Sequence, residues 1–259
     1  GTYATTLGLR VRQAYVDFNT GSGNLFAGQK WVTFSGLNPH VINAVAAAFR
    51  SGNSGFVGSE FGYTHNFGPI MATLALGNKG HYKGSNSTAV SPASDDKAAD
   101  LGAPLITARV DYKMDNHHAG LALASGTLAH SKVVSTNKDS TISGTKVFYG
   151  GTFGDLNLRF EYFMGSNLNS AGFNTLASAA VANDTEYKEK GYWLSGKYNV
   201  SDSASVMFGY GSDEVDDTTL FAQGNLVKNT HFRLGTEINM ATGLNFFVFH
   251  ENFTSGYLN

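Results

Sequence analysis

The sequence has no cysteine, only four prolines among 259 residues, and few charged residues, 15% of the total. Without cysteine, a disulfide framework and thiolate metal sites are excluded. A net charge of −2 argues against the basic surface that nucleic-acid binding requires. The longest apolar run of helical character, residues 41–49, is far shorter than the roughly 20 residues of a membrane-spanning helix. We therefore expect neither a disulfide-stabilised domain, nor a helical membrane protein, nor a nucleic-acid partner.

The sequence does contain strict alternation of polar and apolar residues. Residues 105–114 read LITARVDYKM, in which the even positions are apolar and the odd positions from Thr107 to Lys113 are polar or charged. Such alternation places one face of a β-strand against an apolar medium and the other against water. The pattern recurs in segments of about ten residues, the length that a tilted strand needs to cross a bilayer. With 31 glycines, 12 tyrosines and 19 phenylalanines, the sequence predicts an antiparallel transmembrane β-barrel with a charged lumen.

We predict about twelve strands, with boundaries uncertain by a few residues. They lie near residues 6–19, 24–34, 57–67, 70–79, 105–114, 117–128, 141–153, 155–165, 187–200, 203–213, 227–240 and 243–254. Tight turns such as Gly68-Pro69 and Asp115-Asn116 alternate with long polar connections. The long connections are residues 35–56, 80–104, 129–140, 166–186 and 214–226.

The two kinds of connection bear on the ends of the barrel. Outer-membrane barrels place short turns in the periplasm and long loops outside. On that rule the first strand starts, and the last strand ends, on the long-loop side. We therefore expect residues 1–259 to be one β-barrel domain that is incomplete, with terminal strands that do not pair. A miscount of one strand at each end is the alternative.

The connection at residues 35–56 differs from the others. Asn38 is suited to cap a helix and Pro39 to begin it, an alanine-rich run extends to Arg50, and Gly52 follows as a stop signal. A short helix in one loop suits a pore constriction, so we predict a constriction loop at residues 35–56. The alternative is an ordinary exposed loop helix, whose apolar face would then need another cover.

Residues 10–50 resemble a known family. RVRQAYVDF, then NLFAGQKWVTF, then a helix-bearing loop are similar to the fourth and fifth strands and third loop of Gram-negative trimeric porins. The pieces Arg-x-Arg-x-Ala-Tyr and Gly-Gln-x-Trp-x-x-Phe look most like the dicarboxylate-channel branch. The resemblance implies a barrel of sixteen strands and a homotrimer in the bacterial outer membrane, in contact with lipid and lipopolysaccharide. One departure is that residues 35–56 contain none of the acids found in the constriction loop of cation-leaning porins.

Alternation also predicts which charges face the lumen, because a charge facing lipid would cost about 2–4 kcal/mol at the midplane. The candidate pore-lining residues are Arg10, Arg12, Lys30, Arg50, Arg109, Asp111, Lys113, Arg159, Glu161 and Arg233. If Arg10 and Arg12 both face the lumen, the first strand must contain a β-bulge near Gln13. Guanidinium groups in a narrow channel are forked donors for carboxylates and phosphates, which predicts a preference for small anions. The alternative is that these charges pair into a structural lining without preference.

Trp193 also falls on the predicted inner face, where it either offers solutes a stacking surface or packs against an infolded loop. The acidic residues from Asp213 to Asp217 are expected in a solvated outer loop rather than at a bound cation.

The expected function is passive diffusion of small hydrophilic solutes, with a mild preference for anions such as carboxylates. The sequence lacks the Gly-x-Ser-x-Gly, phosphate-loop and His-Glu-x-x-His motifs, so we predict no catalytic residue, no metal and no cofactor. The alternative is a lipase-like barrel enzyme or an adhesin. A barrel enzyme of that kind would carry polar catalytic residues on its lipid-facing surface.

Overall fold

A computed structural model describes residues 13–40, 51–55, 57–77, 104–128, 140–168, 171, 173, 188–216, 218, 226–241 and 244–257. These residues form one antiparallel sheet of twelve strands, each paired with its neighbours in chain order. The strands are β1 (Ala14–Asn19), β2 (Gly23–Trp31), β3 (Val57–Phe67), β4 (Ile70–Gly77), β5 (Leu105–Met114), β6 (His117–Leu128), β7 (Ser140–Phe153), β8 (Leu156–Ser166), β9 (Lys188–Ser201), β10 (Ala204–Val215), β11 (Leu226–Ala241) and β12 (Leu244–Tyr257). The predicted fold class and the twelve visible strands are confirmed.

The register gives the sheet two chemically different faces. Thr73, Arg109, Ala122 and Lys146 are direct neighbours across β4 to β7, so their side chains share one face. We call this the inner face. The opposite, outer face carries exposed apolar side chains in the central strands, such as Leu74, which is 58% exposed. An apolar band of this kind is suited to lipid, which explains the alternation along each strand.

The sheet curls around residues 32–40 and 51–55, which we call the crossing segment. The Ser35 carbonyl accepts a hydrogen bond from Arg109 on β5, and Ser54 N–H donates to Glu161 on β8. His40 N–H donates to Ser195 on β9 at 2.9 Å. One short segment can reach inner-face residues of β5, β8 and β9 only if that face is concave.

The apolar core lies on the inner face, where the crossing segment meets the strands. Its buried residues are Val32, Phe34, Leu105, Ala122, Ala124, Ile142, Phe163, Leu168, Ala171 and Phe173. Phe34 stacks on Phe173 with ring centroids 4.7 Å apart, so the connection after β8 packs against the crossing segment. This core fixes the crossing segment against β5 to β8.

The tight turns lie where the sequence predicts them. Gly68, Asp115 and Gly154 each begin a two-residue turn with positive φ, 69°, 50° and 59° respectively. Glycine adopts this conformation without steric cost, and Asp tolerates it better than most residues. The turn between β9 and β10 is shifted by one residue relative to the prediction, to 202–203.

Several predictions differ from the structure, and others concern residues that the structure does not describe. β1 begins at Ala14, and residues 6–12 lie outside the described residues, as do residues 41–50 of the expected loop helix. β10 continues to Val215, so Asp213 and Glu214 belong to a strand and the expectation of an outer loop there is wrong. β1 and β12 do not pair with each other within the described sheet. In the part of the chain that the structure describes, no helix is long and apolar enough to cross a membrane.

Candidate functional site

The inner face brings together seven of the ten candidate pore-lining residues. They are Lys30, Arg109, Asp111, Lys113, Arg159, Glu161 and Arg233, and the strand register places each of them on the inner face. Arg10, Arg12 and Arg50 lie outside the described residues. The environments of the seven residues differ sharply.

Arg109 is held by three neighbours. Its Nε donates to Asp111 Oδ2 at 2.8 Å, and its Nη2 donates to Asp111 Oδ1 at 2.6 Å. Its remaining nitrogen, Nη1, donates to the Ser35 carbonyl of the crossing segment. The guanidinium also lies 4.6 Å above the Phe148 ring, and His118 Nε2 lies 2.6 Å from the Asp111 carboxylate. All three guanidinium nitrogens of Arg109 therefore donate to protein groups.

Lys146 and Glu161 form a fully buried ion pair beneath the crossing segment. Their Nζ and Oε1 atoms are 3.0 Å apart, and both side chains are 0% exposed. Lys146 also donates to the Ser54 carbonyl, and Ser54 N–H donates to Glu161 Oε1 at 3.2 Å. A Cβ added to Gly36 would collide with Glu161 Oε2, so the first half of the crossing segment also lies against this pair.

His40 and Arg159 hold the middle of the crossing segment to β8 and β9. His40 Nε2 lies 2.7 Å from Asn157 Oδ1, and Arg159 Nη1 donates to the Asn38 carbonyl at 2.9 Å. Burial lowers the pKa of His40 to about 4, and the positive charges of Arg159 and Lys197 act in the same direction. His40 is therefore neutral at pH 7 in this arrangement.

Glu60 holds the first turn of the crossing segment. Its Oε2 accepts hydrogen bonds from Thr33 N at 2.7 Å and from Thr33 Oγ1 at 2.8 Å, and its Oε1 accepts from Thr107 Oγ1 at 3.0 Å. Glu60 is only 4% exposed, so its charge is shielded from the lumen.

Trp193 is 2% exposed and lines a small gap together with Pro39 and Ser51. It therefore packs against the crossing segment. Beside it on β10, a Cβ added to Gly211 would collide with the Ser51 carbonyl. The space over β7 to β10 is filled by the crossing segment at this level.

Open space lies on the other side of the crossing segment, along β2 to β5. A cavity of about 350 Å³ there is lined by Lys30, Thr64, Thr73 and Lys113, together with parts of the crossing segment. Lys30 Nζ lies 3.9 Å from the Phe26 ring centroid, and the Thr64 and Thr73 hydroxyls are 2.8 Å apart. Neither lysine forms an ion pair with another described residue. Both lysines line this cavity.

Two further inner-face cations are paired. Lys197 Nζ lies 2.6 Å from Glu237 Oε2, and Arg233 Nη1 lies 3.7 Å from Glu251 Oε1. The lining thus contains several neutralised pairs, whereas Lys30, Lys113 and Arg159 form no ion pair with another described residue.

Comparisons with known proteins bear on the fold. No protein-family model matches the sequence, and neither does any curated protein. Among solved structures, the chain is similar to the outer membrane channel DcaP of Acinetobacter baumannii at 15% identity and a TM-score of 0.79, covering 99% of this chain and 72% of that one. It is also similar to the anion-selective porin from Comamonas acidovorans, at 13% identity and a TM-score of 0.60 over 94% of this chain and 67% of that one. The fold is that of a porin.

A third solved structure, of an outer membrane protein, is also similar in fold. The in-vitro folded OmpT of Vibrio cholerae, in its trimer form, matches at 14% identity and a TM-score of 0.54, over 96% of this chain and 73% of that one. At these identities the likeness concerns the porin fold and not individual residues, so the predicted dicarboxylate branch and sixteen strands stay predictions.

The sequence did not identify Lys146 and Glu189 as inner-face residues, and it did not predict that Asp213 is buried. Glu189 Oε1 accepts a hydrogen bond from Leu168 N at 2.5 Å, and Asp213 is 1% exposed. The alternation of β7 gives no clear signal for Lys146, because the apolar Ile142 and Phe148 share its inner face. Among the described residues, no group of three His, Asp or Glu side chains is arranged to hold a metal ion.

Proposed function

We propose that this chain forms a diffusion channel for small hydrophilic solutes in the bacterial outer membrane, with a mild preference for anions such as carboxylates. The observation that carries the proposal is the crossing segment on the concave inner face, with a polar cavity of about 350 Å³ beside it. A wall that is apolar outside and polar inside, narrowed by one segment, suits passive diffusion. On this proposal residues 35–56 are the constriction loop.

The charges that solutes can reach support a weak rather than a strong anion preference. Glu60 and Glu161 are buried and bind the crossing segment, whereas Lys30 and Lys113 line the open cavity. We therefore assign the selectivity to Lys30 and Lys113. The solved anion-selective porin of similar fold agrees with this direction.

Other features of the fold bear on the partners and on the competing hypothesis. The exposed apolar side chains of the outer face favour contact with lipid and, at the outer rim, with lipopolysaccharide. One outer membrane protein of similar fold is described in its trimer form, and we propose a homotrimer for this chain too. The apolar outer face of the central strands gives a barrel enzyme little room for polar catalytic residues, so the channel is favoured.

The size of the selectivity effect follows from elementary electrostatics. An ion passing about 6 Å from an ammonium group in water gains or loses about 0.4 kcal/mol at about 0.1 M salt. Because the anion is attracted and the cation repelled, one lysine changes the anion-to-cation permeability ratio by about fourfold for ions at this distance, and by less for ions that pass farther from the wall.

Reversal potentials across a salt gradient in planar bilayers test the proposal. The wild type should favour anions, and Lys30→Met/Lys113→Met should lose most of that preference. Lys190→Met, which removes an outer-face lysine paired with Asp216, is the matched control and should behave as wild type. Cation preference in the wild type, or an unchanged ratio in the double variant, would contradict the assignment.

A further inference from the structure

We infer that several charges on the inner wall bind the backbone of the crossing segment, and that Arg109, Lys146, Glu60 and Glu161 among them are positioning residues rather than ligands for passing solutes. Any effect of these positioning residues on ion flow rests on the proposed function. The positioning role itself does not, because it concerns only where the crossing segment lies.

The sign of each wall charge matches the backbone group that it faces. Basic side chains bind carbonyl oxygens of the crossing segment: Arg109 binds Ser35, Lys146 binds Ser54, and Arg159 binds Asn38 at 2.9 Å. Acidic side chains accept from its N–H groups. Glu60 accepts from Thr33 N at 2.7 Å, and Glu161 accepts from Ser54 N at 3.2 Å.

The match has a physical cause. A segment that crosses a lumen without pairing in the sheet leaves its N–H and C=O groups without ladder partners, and buried groups of this kind need other partners. Charged side chains form stronger hydrogen bonds than neutral ones, so a few of them suffice. The same rule extends to the connection after β8, where Glu189 accepts from Leu168 N at 2.5 Å.

Burial separates the pair of Lys146 and Glu161 from the charges that line the cavity, which include Arg109 as well as Lys30 and Lys113. Lys146 and Glu161 are 0% exposed, so a solute in the cavity cannot contact either. Lys113 is exposed, and among the described residues no hydrogen bond or ion pair joins it to the crossing segment. Removing the buried pair should therefore release the crossing segment, whereas removing Lys113 should change selectivity without releasing it.

Cysteine labelling distinguishes these outcomes, because the chain has no cysteine of its own. Ser51→Cys places a thiol at a fully buried position of the crossing segment, and Ser203→Cys places one in an exposed short turn as the control. In the refolded full chain, Lys146→Met/Glu161→Gln should raise the rate of maleimide labelling at position 51 at least tenfold. The rate at position 203 should stay the same.

Lys113→Met is the matched control for loss of an inner-face cation, and it should leave labelling at position 51 unchanged. In bilayers, the buried-pair variant should alter single-channel conductance while its anion-to-cation ratio stays within twofold of wild type. If wild type carries no current, the proposed function fails while the labelling result still decides the positioning role.

Arg109 provides a second variant if the buried-pair variant does not refold. Arg109→Met should speed labelling of Ser35→Cys, a position 7% exposed, and Arg109→Lys should restore part of the protection because it keeps a charged donor. Unchanged labelling in both Lys146→Met/Glu161→Gln and Arg109→Met, or equal acceleration by Lys113→Met, would overturn the inference.

Discussion

The buried pair of Lys146 and Glu161 makes a quantitative prediction about stability. Both side chains are 0% exposed, so removing one partner leaves the other charge in a site without water. Breaking a buried pair in this way costs about 3–5 kcal/mol, and we expect this loss for Lys146→Met. In Lys146→Met/Glu161→Gln no charge remains, and the Ser54 carbonyl is the group left without its donor, at a cost of about 1–3 kcal/mol.

Urea unfolding of the refolded protein in detergent micelles measures these free energies. The chain has two tryptophans, and Trp193 is paired directly with Glu161 across β8 and β9, so its fluorescence reports on this region. Lys197→Met is the matched control: Lys197 is 30% exposed, and its pair with Glu237 should contribute only about 0–1 kcal/mol. A double variant less stable than Lys146→Met, or a loss below about 1 kcal/mol for Lys146→Met, would refute the reasoning.

Two further predictions concern pH and the lipid-facing surface. His40 has its pKa lowered from 6.5 to about 4, so release of the crossing segment takes up a proton between these values and should become easier as the pH falls. The labelling rate of Ser51→Cys divided by that of the exposed Ser203→Cys should therefore rise from pH 7 toward pH 4, since the loss of thiolate at low pH slows both positions alike, and His40→Gln should flatten this ratio; a pH-independent ratio in the wild type would contradict this. Leu74→Lys, on the outer face of β4, should lower the urea stability in lipid vesicles by about 2–4 kcal/mol, whereas Thr73→Lys, one residue away on the inner face, should be tolerated. Equal losses for the two lysine variants would contradict the assignment of the faces.

The strands and their faces could be predicted because one face of the sheet meets lipid and the other meets water. Successive residues in a strand must therefore alternate between apolar and polar side chains. In β5 the inward Arg109 and outward Val110 follow from alternation alone. Turn chemistry set the boundaries equally well, as at Asp115, whose positive φ suits a tight turn. Residues adjacent in the sequence were therefore sufficient to predict the strand faces and the tight turns.

The partners of the inward charges could not be predicted in the same way. Ser54 and Glu161 are 107 positions apart, and no local pattern connects them. Lys146 was missed because its strand face also carries Ile142 and Phe148, which resemble a core face. The two sequence hypotheses for the charges, a selective basic row and a paired lining, differ only in such distant contacts.

The long sequence separations within the crossing segment also have a consequence for the order of folding. Every strand of the described sheet pairs with its chain neighbour, so the wall can assemble hairpin by hairpin. His40, however, binds Ser195, which follows it by 155 positions. Contacts across so many residues form late, because a long chain must be closed before they yield any stabilisation. The wall should therefore assemble around an open lumen, which narrows only after β9 has joined the sheet.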